Sequence, residues 1–186
     1  MQEEKIVSGS TVEEVWRQLE SDFQKNPELL QYKAVFEPQN RKVDFVLDVD
    51  LGGGFEGGYA YTSFTAQLTR FDDFRFSMHH QDFVDEIGKV FGAQDVTVGD
   101  EHFDSKVMVK ANNEERVKDI LTSNPLKEVL QSLAEFKFHI VHAHSSNTEV
   151  ESAYLELRID DAVTEPDVLH RIYDAFVEVL NKIDPQ

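Results

Sequence analysis

Three of the seven histidines fall in one short run, Phe136-Lys137-Phe138-His139-Ile140-Val141-His142-Ala143-His144. In a strand, side chains alternate, so His142 and His144 share a face with Phe138 and Ile140 while His139 points the other way. Two imidazoles in this H-x-H spacing suit a transition metal, with Asp or Glu completing the shell. His142 and His144 are therefore the candidate metal ligands, and His79, His80 and His102 are further donors if the fold brings them near. Against this, the chain carries no HExxH and no second H-x-H. His144 also stands at a strand end, where water is the ordinary partner. No cofactor is predicted.

Asp95, Asp100 and Asp104 form an acidic triad that invites a calcium reading. Their spacing fails it, because the calcium loop needs alternating ligands with Gly at the sixth position. Asp also makes turns by bonding nearby backbone, and that is the reading adopted. Gly99 would supply a φ above zero, Phe103 would plug the sheet edge, and Asp104 would accept backbone N–H groups. Gly99, Asp100, Phe103 and Asp104 are thus expected to hold the fold. The glycines of Gly52-Gly53-Gly54-Phe55-Glu56-Gly57-Gly58 are followed by a strand rather than a helix, and they carry no Lys. They suit a hairpin loop, not a phosphate cradle. No catalytic signature of the GxSxG or paired-carboxylate kind is recognisable, and separated carboxylates could still converge in the fold.

These groups need elements to position them. Ser10 or Thr11 caps a helix whose Val12, Val15, Trp16, Leu19 and Phe23 repeat at helical spacing, until Asn26-Pro27 stops it. From Tyr32 to Met78 the period is two. Val43, Phe45, Leu47, Val49 and Leu51 alternate with Asp44, Val46, Asp48 and Asp50; Phe64, Ala66 and Leu68 follow, then Phe74, Phe76 and Met78. Short connections between these strands predict antiparallel order. Phe83 to Phe91 predicts a second helix closed by Gly92, and Val107 with Val109 a strand. Asn112 or Asn113 caps a third helix, and Asn124-Pro125 opens a fourth over Leu126 to Leu133. Phe136–Ile140 and Ala153–Ile159 pair as strands across Ser145-Ser146-Asn147. A last helix is capped by Thr164 and started by Pro166, with Leu169, Ile172, Tyr173, Phe176, Val179, Leu180 and Ile183 as a broad apolar stripe.

The fold class expected is α+β: an antiparallel sheet of about six or seven strands with helices packed mainly on one face. Residues 1–186 form a single domain, with a sub-domain junction conceivable near Gln81.

Charge limits the partners. Lys and Arg total 18 against 36 Asp and Glu, a formal −18, with no basic run to break the pattern. Such a chain repels phosphate backbones and anionic headgroups, so neither nucleic acid nor membrane is expected. Hydrophobic residues make up 40%, with 14 Phe and one Trp, enough for a packed core. The lack of Cys removes disulfides and thiolate chemistry and fits a cytoplasmic setting. The first ten residues hold no signal-peptide pattern, and no stretch of about 18 apolar residues could span a bilayer.

Several short motifs resemble a family of bacterial proteins known only as a domain of unknown function. They are Ile87-Gly88-Lys89, Phe91-Gly92, Gln94-Asp95, Gly99-Asp100, Phe103-Asp104, Val107-x-Val109-Lys110, Asn112 or Asn113, and the helix end at Leu121. The resemblance spans roughly Phe74 to Leu133. Val107 stands where an aromatic is as common. What it implies is a soluble bacterial domain without an assigned substrate.

Three functions are carried forward. The leading one is a non-catalytic binding or protein-interaction module, presenting a sheet face with Tyr59 and Tyr61 to a partner. The second is a metal-dependent enzyme at His142 and His144. The third is a pocket for an apolar ligand between sheet and helices. A homodimer or another protein is the partner class left open.

Overall fold

A computed structural model describes residues 6–26, 29–53, 57–70, 72–81, 93–144 and 151–185. The described strands are β1 (Ile6–Ser8), β2 (Gln31–Phe36), β3 (Val43–Asp50), β4 (Tyr59–Gln67), β5 (Phe76–His80), β6 (Gln94–Asp95), β7 (Val107–Ala111), β8 (Phe136–His144) and β9 (Glu151–Ile159), and all but the short β1 and β6 come from the alternating runs. They join in one nine-stranded sheet of order β1-β2-β3-β4-β9-β8-β5-β7-β6. Every pairing is antiparallel except β1 with β2.

Register explains why the sheet closes on a core. Ala34, Phe45, Phe64, Leu157, Phe138, Met78 and Val109 stand opposite one another strand by strand, and all are buried. Each large side chain so buried contributes roughly 1.5–3 kcal/mol. A one-residue shift along each strand gives the row on the other side, Lys33, Val46, Ser63, Arg158, Lys137, His79 and Met108. A slip of one residue would exchange the two rows, so the pattern fixes the register.

Among the described residues five α-helices complete this mixed fold: α1 (Val12–Lys25), α2 (Glu101–Asp104), α3 (Glu114–Ile120), α4 (Asn124–Ser132) and α5 (Pro166–Ile183). Trp16 of α1 lies 4.8 Å from Phe36 and 5.4 Å from Tyr173, ring to ring, and Phe176 of α5 lies 5.9 Å from both Phe64 and Phe138. Thr11 caps α1 by accepting the Glu14 N–H, and the Glu14 carboxylate reaches back to the N–H and hydroxyl of Ser10. Asn113 caps α3 and Ser123 caps α4. No helix among the described residues is long and apolar enough to cross a membrane.

The C-terminal end of α5 is tied to three other elements. Arg41, only 5% exposed, donates to the carbonyls of Leu180 and Asp184 and to the Asn181 side chain. Arg116 donates to the Ile183 carbonyl, and the buried Asp184 carboxylate accepts the N–H and hydroxyl of Thr69. Guanidinium groups at the negative end of a helix dipole are placed favourably.

Several expectations need correction. Among the described residues the sheet has nine strands rather than six or seven, because β1 and β6 are too short to show a period of two. The β4 and β5 strands run in opposite directions but are not neighbours, since β9 and β8 lie between them. The strand expected from Phe74 begins at Phe76. Phe74 is buried outside the sheet, with the Arg116 guanidinium 4.1 Å from its ring. Glu165, not Thr164, holds the cap position of α5, without a side-chain bond, and Pro166 supplies the start. Asp95 lies in β6, while Asp100 and Asp104 bracket the short α2. The helix expected over Phe83–Gly92, with the family motifs Ile87-Gly88-Lys89 and Phe91-Gly92, lies outside the described residues, as does the Ser145-Ser146-Asn147 turn.

Candidate functional site

The sheet side opposite the core row carries two groups of polar side chains. The β3–β4 hairpin sets its first group: Asp48 stands opposite Tyr61 and Asp50 opposite Tyr59. Gly58 is required here, since a Cβ would sit 2.3 Å from the Asp50 carbonyl oxygen. The two tyrosine rings stack with centroids 6.2 Å apart, and the Arg158 guanidinium lies 4.0 Å from the Tyr61 ring. Arg158 is held there by a 2.9 Å bond from its Nε to Asp160. Asp48 accepts from Gln31 Nε2 at 3.0 Å and from the Tyr59 hydroxyl at 3.3 Å. The negative charge of Asp48 raises the Tyr59 hydroxyl above the ordinary phenol value. Between Gln31, Lys33, Val46, Asp48 and Tyr61 lies a depression of about 110 Å3. Tyr59 is half exposed. The cluster thus offers an aromatic surface, a cation, an acceptor and a shallow recess together.

A second group crosses three central strands. Ser77, His139 and Glu156 are directly opposite one another on β5, β8 and β9. His139 Nε2 meets Glu156 Oε2 at 3.0 Å, and this bond holds the Glu156 carboxyl below the usual range. The Ser77 hydroxyl is buried with no hydrogen-bond partner among the described residues. No bond links it to His139, so the row is not arranged as a nucleophile relay. The sequence reading missed this row because it exists only through register between distant strands.

His142 lies on β8 opposite Ala153, on the side of Phe138 and Ile140. His144 is opposite Glu151, and its side chain lies outside the described set. Among the described residues no group of three or more His, Asp or Glu could hold a metal ion. His79 is buried beside Lys137 and Met108, with Nδ1 3.1 Å from the His80 carbonyl; His102 lies in α2.

The Gly99–Asp104 segment makes a closed local structure. Asp100 caps α2 by accepting the Phe103 N–H and binds Lys127 of α4 at 2.6 Å. The Lys127 bond holds the Asp100 carboxyl below the usual range. Phe103 is fully buried, and the two Asp104 oxygens accept the N–H groups of Val98 and Gly99, each at 2.9 Å. The Asp100 and Asp104 carboxylates are thus both engaged by the protein itself.

No protein-family model matches this chain, and no curated protein does. Among solved structures, the chain is similar to the crystal structure of the mycobacterial trehalose monomycolate transport factor A, TtfA. The match has a TM-score of 0.44 and 4% sequence identity, and it covers 94% of this chain and 93% of that one. No residue role is carried over from it.

Proposed function

We propose that this chain is a non-catalytic binding module for a protein partner, with its helices gathered on the core side and the opposite sheet face as the docking surface. The observation that carries the reading is the Tyr59–Tyr61–Arg158–Asp48 cluster around its recess. Tyr and Arg are the residue types that dominate binding energy at protein interfaces, because they combine large contact area with a polar end. The cluster is pre-ordered: Arg158 is fixed by Asp160 and Tyr59 by Asp48, so little side-chain freedom is lost on docking. The apolar-ligand alternative has less support, since the described depressions lie at the surface rather than between sheet and helices.

The test is site-specific photocrosslinking in the native host. A photoreactive residue at Lys137 or Tyr59 is expected to give a discrete adduct that Tyr61→Ala abolishes, while the same residue at Glu114 of α3 gives none. Adducts of equal strength from all three positions would overturn the reading. So would steady turnover of a small molecule by pure protein, lost on changing one polar pocket residue.

A further inference from the structure

A different surface, away from the sheet-face cluster, holds a groove between two helices. The α4 and α5 helices pack against each other, and between them lies a depression of about 230 Å3. Leu126, Val129 and Ala175 form its apolar floor, and the short side chains of Ala175 and Ser132 leave the space open. For scale, a cavity of about 150 Å3 admits a benzene ring. The space therefore suits one large apolar side chain rather than a drug-sized ligand.

The walls are unevenly charged. Glu128 rises from α4, and Asp174 and Glu178 from α5, against a single cation, Arg171. Glu178 is already engaged, accepting the Ser123 hydroxyl at 2.9 Å and pairing with Lys182 at 3.5 Å. Those contacts pin the start of α4 to α5 and fix the groove's width. Glu128 and Asp174 stand on opposite walls without a cationic partner among the described residues. Both are exposed.

We propose that the α4–α5 groove docks a cationic amphipathic helix of a partner protein. One apolar side chain of that helix sits on Leu126, Val129 and Ala175, and flanking Lys or Arg residues pair with Glu128 and Asp174. An apolar floor between helices with charged rims is the ordinary geometry of helix-in-groove recognition. The chain's net −18 attracts a cationic partner at long range, while the groove's own Glu128 and Asp174 would place it.

The probe is a short helical peptide of Leu and Lys with every Leu on one face, with the same residues in scrambled order as the control. Binding to the full chain is followed by fluorescence anisotropy of the labelled peptide. The patterned peptide is expected to bind more tightly than the scrambled one, and added salt to weaken it. Asp174→Lys, which reverses a wall charge, and Ser132→Trp, which fills the recess from an exposed position, are each expected to weaken binding about tenfold. Glu114→Lys on α3 removes the same charge elsewhere and is expected to leave binding unchanged. Equal affinity for the two peptides would overturn the proposal, leaving only general acidity. So would equal loss in Glu114→Lys, or no loss in Asp174→Lys and Ser132→Trp. None of the groove residues belongs to the sheet-face cluster, so the two readings fail separately.

Discussion

The Asp104 carboxylate accepts the N–H of Gly99 at 2.9 Å, and Gly99 holds its backbone at φ +91°. The other carboxylate oxygen takes the N–H of Val98. One side chain thus closes the loop that feeds α2, while Phe103 anchors that helix in the core. Asp104→Ala leaves two N–H groups without their acceptor and is expected to cost about 1–3 kcal/mol in urea melts. Asp104→Asn keeps an acceptor oxygen and should cost clearly less. At Gly99 a Cβ would meet nothing within 4 Å, so the cost of Gly99→Ala is purely conformational, about 1 kcal/mol or more. Equal stability of wild type and both Asp104 variants would sink the structural role and reopen Asp104 as a functional carboxylate.

Arg41 is the lock on the last helix. Its bonds go to neutral acceptors at the C-terminal end of α5, so the guanidinium exchanges water for carbonyls and the negative end of the helix dipole. Hydrogen bonds to a charged group are worth about 1.5–3 kcal/mol each, and Arg41→Met is expected to lower the melting temperature markedly. Arg41→Lys should fail to rescue it, because one ammonium cannot span acceptors arranged for a planar fork. A variant with Met at 41 that melts like wild type would remove this role.

On the acid side, Glu156 is the group to follow. Its hydrogen bond from His139 holds the folded carboxyl below the ordinary range. The stability it contributes is therefore fully present above the unfolded value, about 4.3, and is lost as pH falls through the lower folded value. Both side chains are partly exposed, so the effect is a screened fraction of the full linkage. His139→Phe and Glu156→Gln are both expected to flatten the acid limb of a stability–pH profile below the ordinary glutamate value. An acid limb unchanged in both variants would show that the pair contributes nothing.

The legible parts of this fold were those with a local code. The alternation of Val43, Phe45 and Leu47 with Asp44, Val46 and Asp48 places β3 directly, and the α5 stripe from Leu169 to Ile183 is as clear. Short pieces escaped: three residues in β1 and two in β6 are fewer than one period can establish. Sheet order escaped for another reason. The β8–β9 hairpin inserts between β4 and β5, a choice made by long-range packing that no window of sequence contains. The same holds for the surface chemistry. Tyr59 and Tyr61 are near neighbours in sequence, but Arg158 reaches them only through the pairing of β4 with β9. Arg41 and α5 are likewise joined only by the fold.

Two buried tyrosines make opposite predictions for substitution and the same prediction for base. Tyr32 donates its hydroxyl to Asp22 at 2.9 Å, whereas the Tyr173 hydroxyl is buried with no hydrogen-bond partner among the described residues. Tyr32→Phe removes a bond to a carboxylate and is expected to cost about 1.5–3 kcal/mol. Tyr173→Phe removes only an unsatisfied polar atom and should be neutral or stabilising, since the ring keeps its contacts with Trp16, Phe36 and Phe64. Burial, the first cause in both, raises the two hydroxyls well above the ordinary phenol value. The folded protein therefore keeps these protons while the unfolded chain releases them, and stability falls as pH rises above about 10. Each Phe variant should lose part of that alkaline decline, read as a shallower slope of unfolding free energy against pH. A Tyr173→Phe protein less stable than wild type at neutral pH would show that the hydroxyl is satisfied after all.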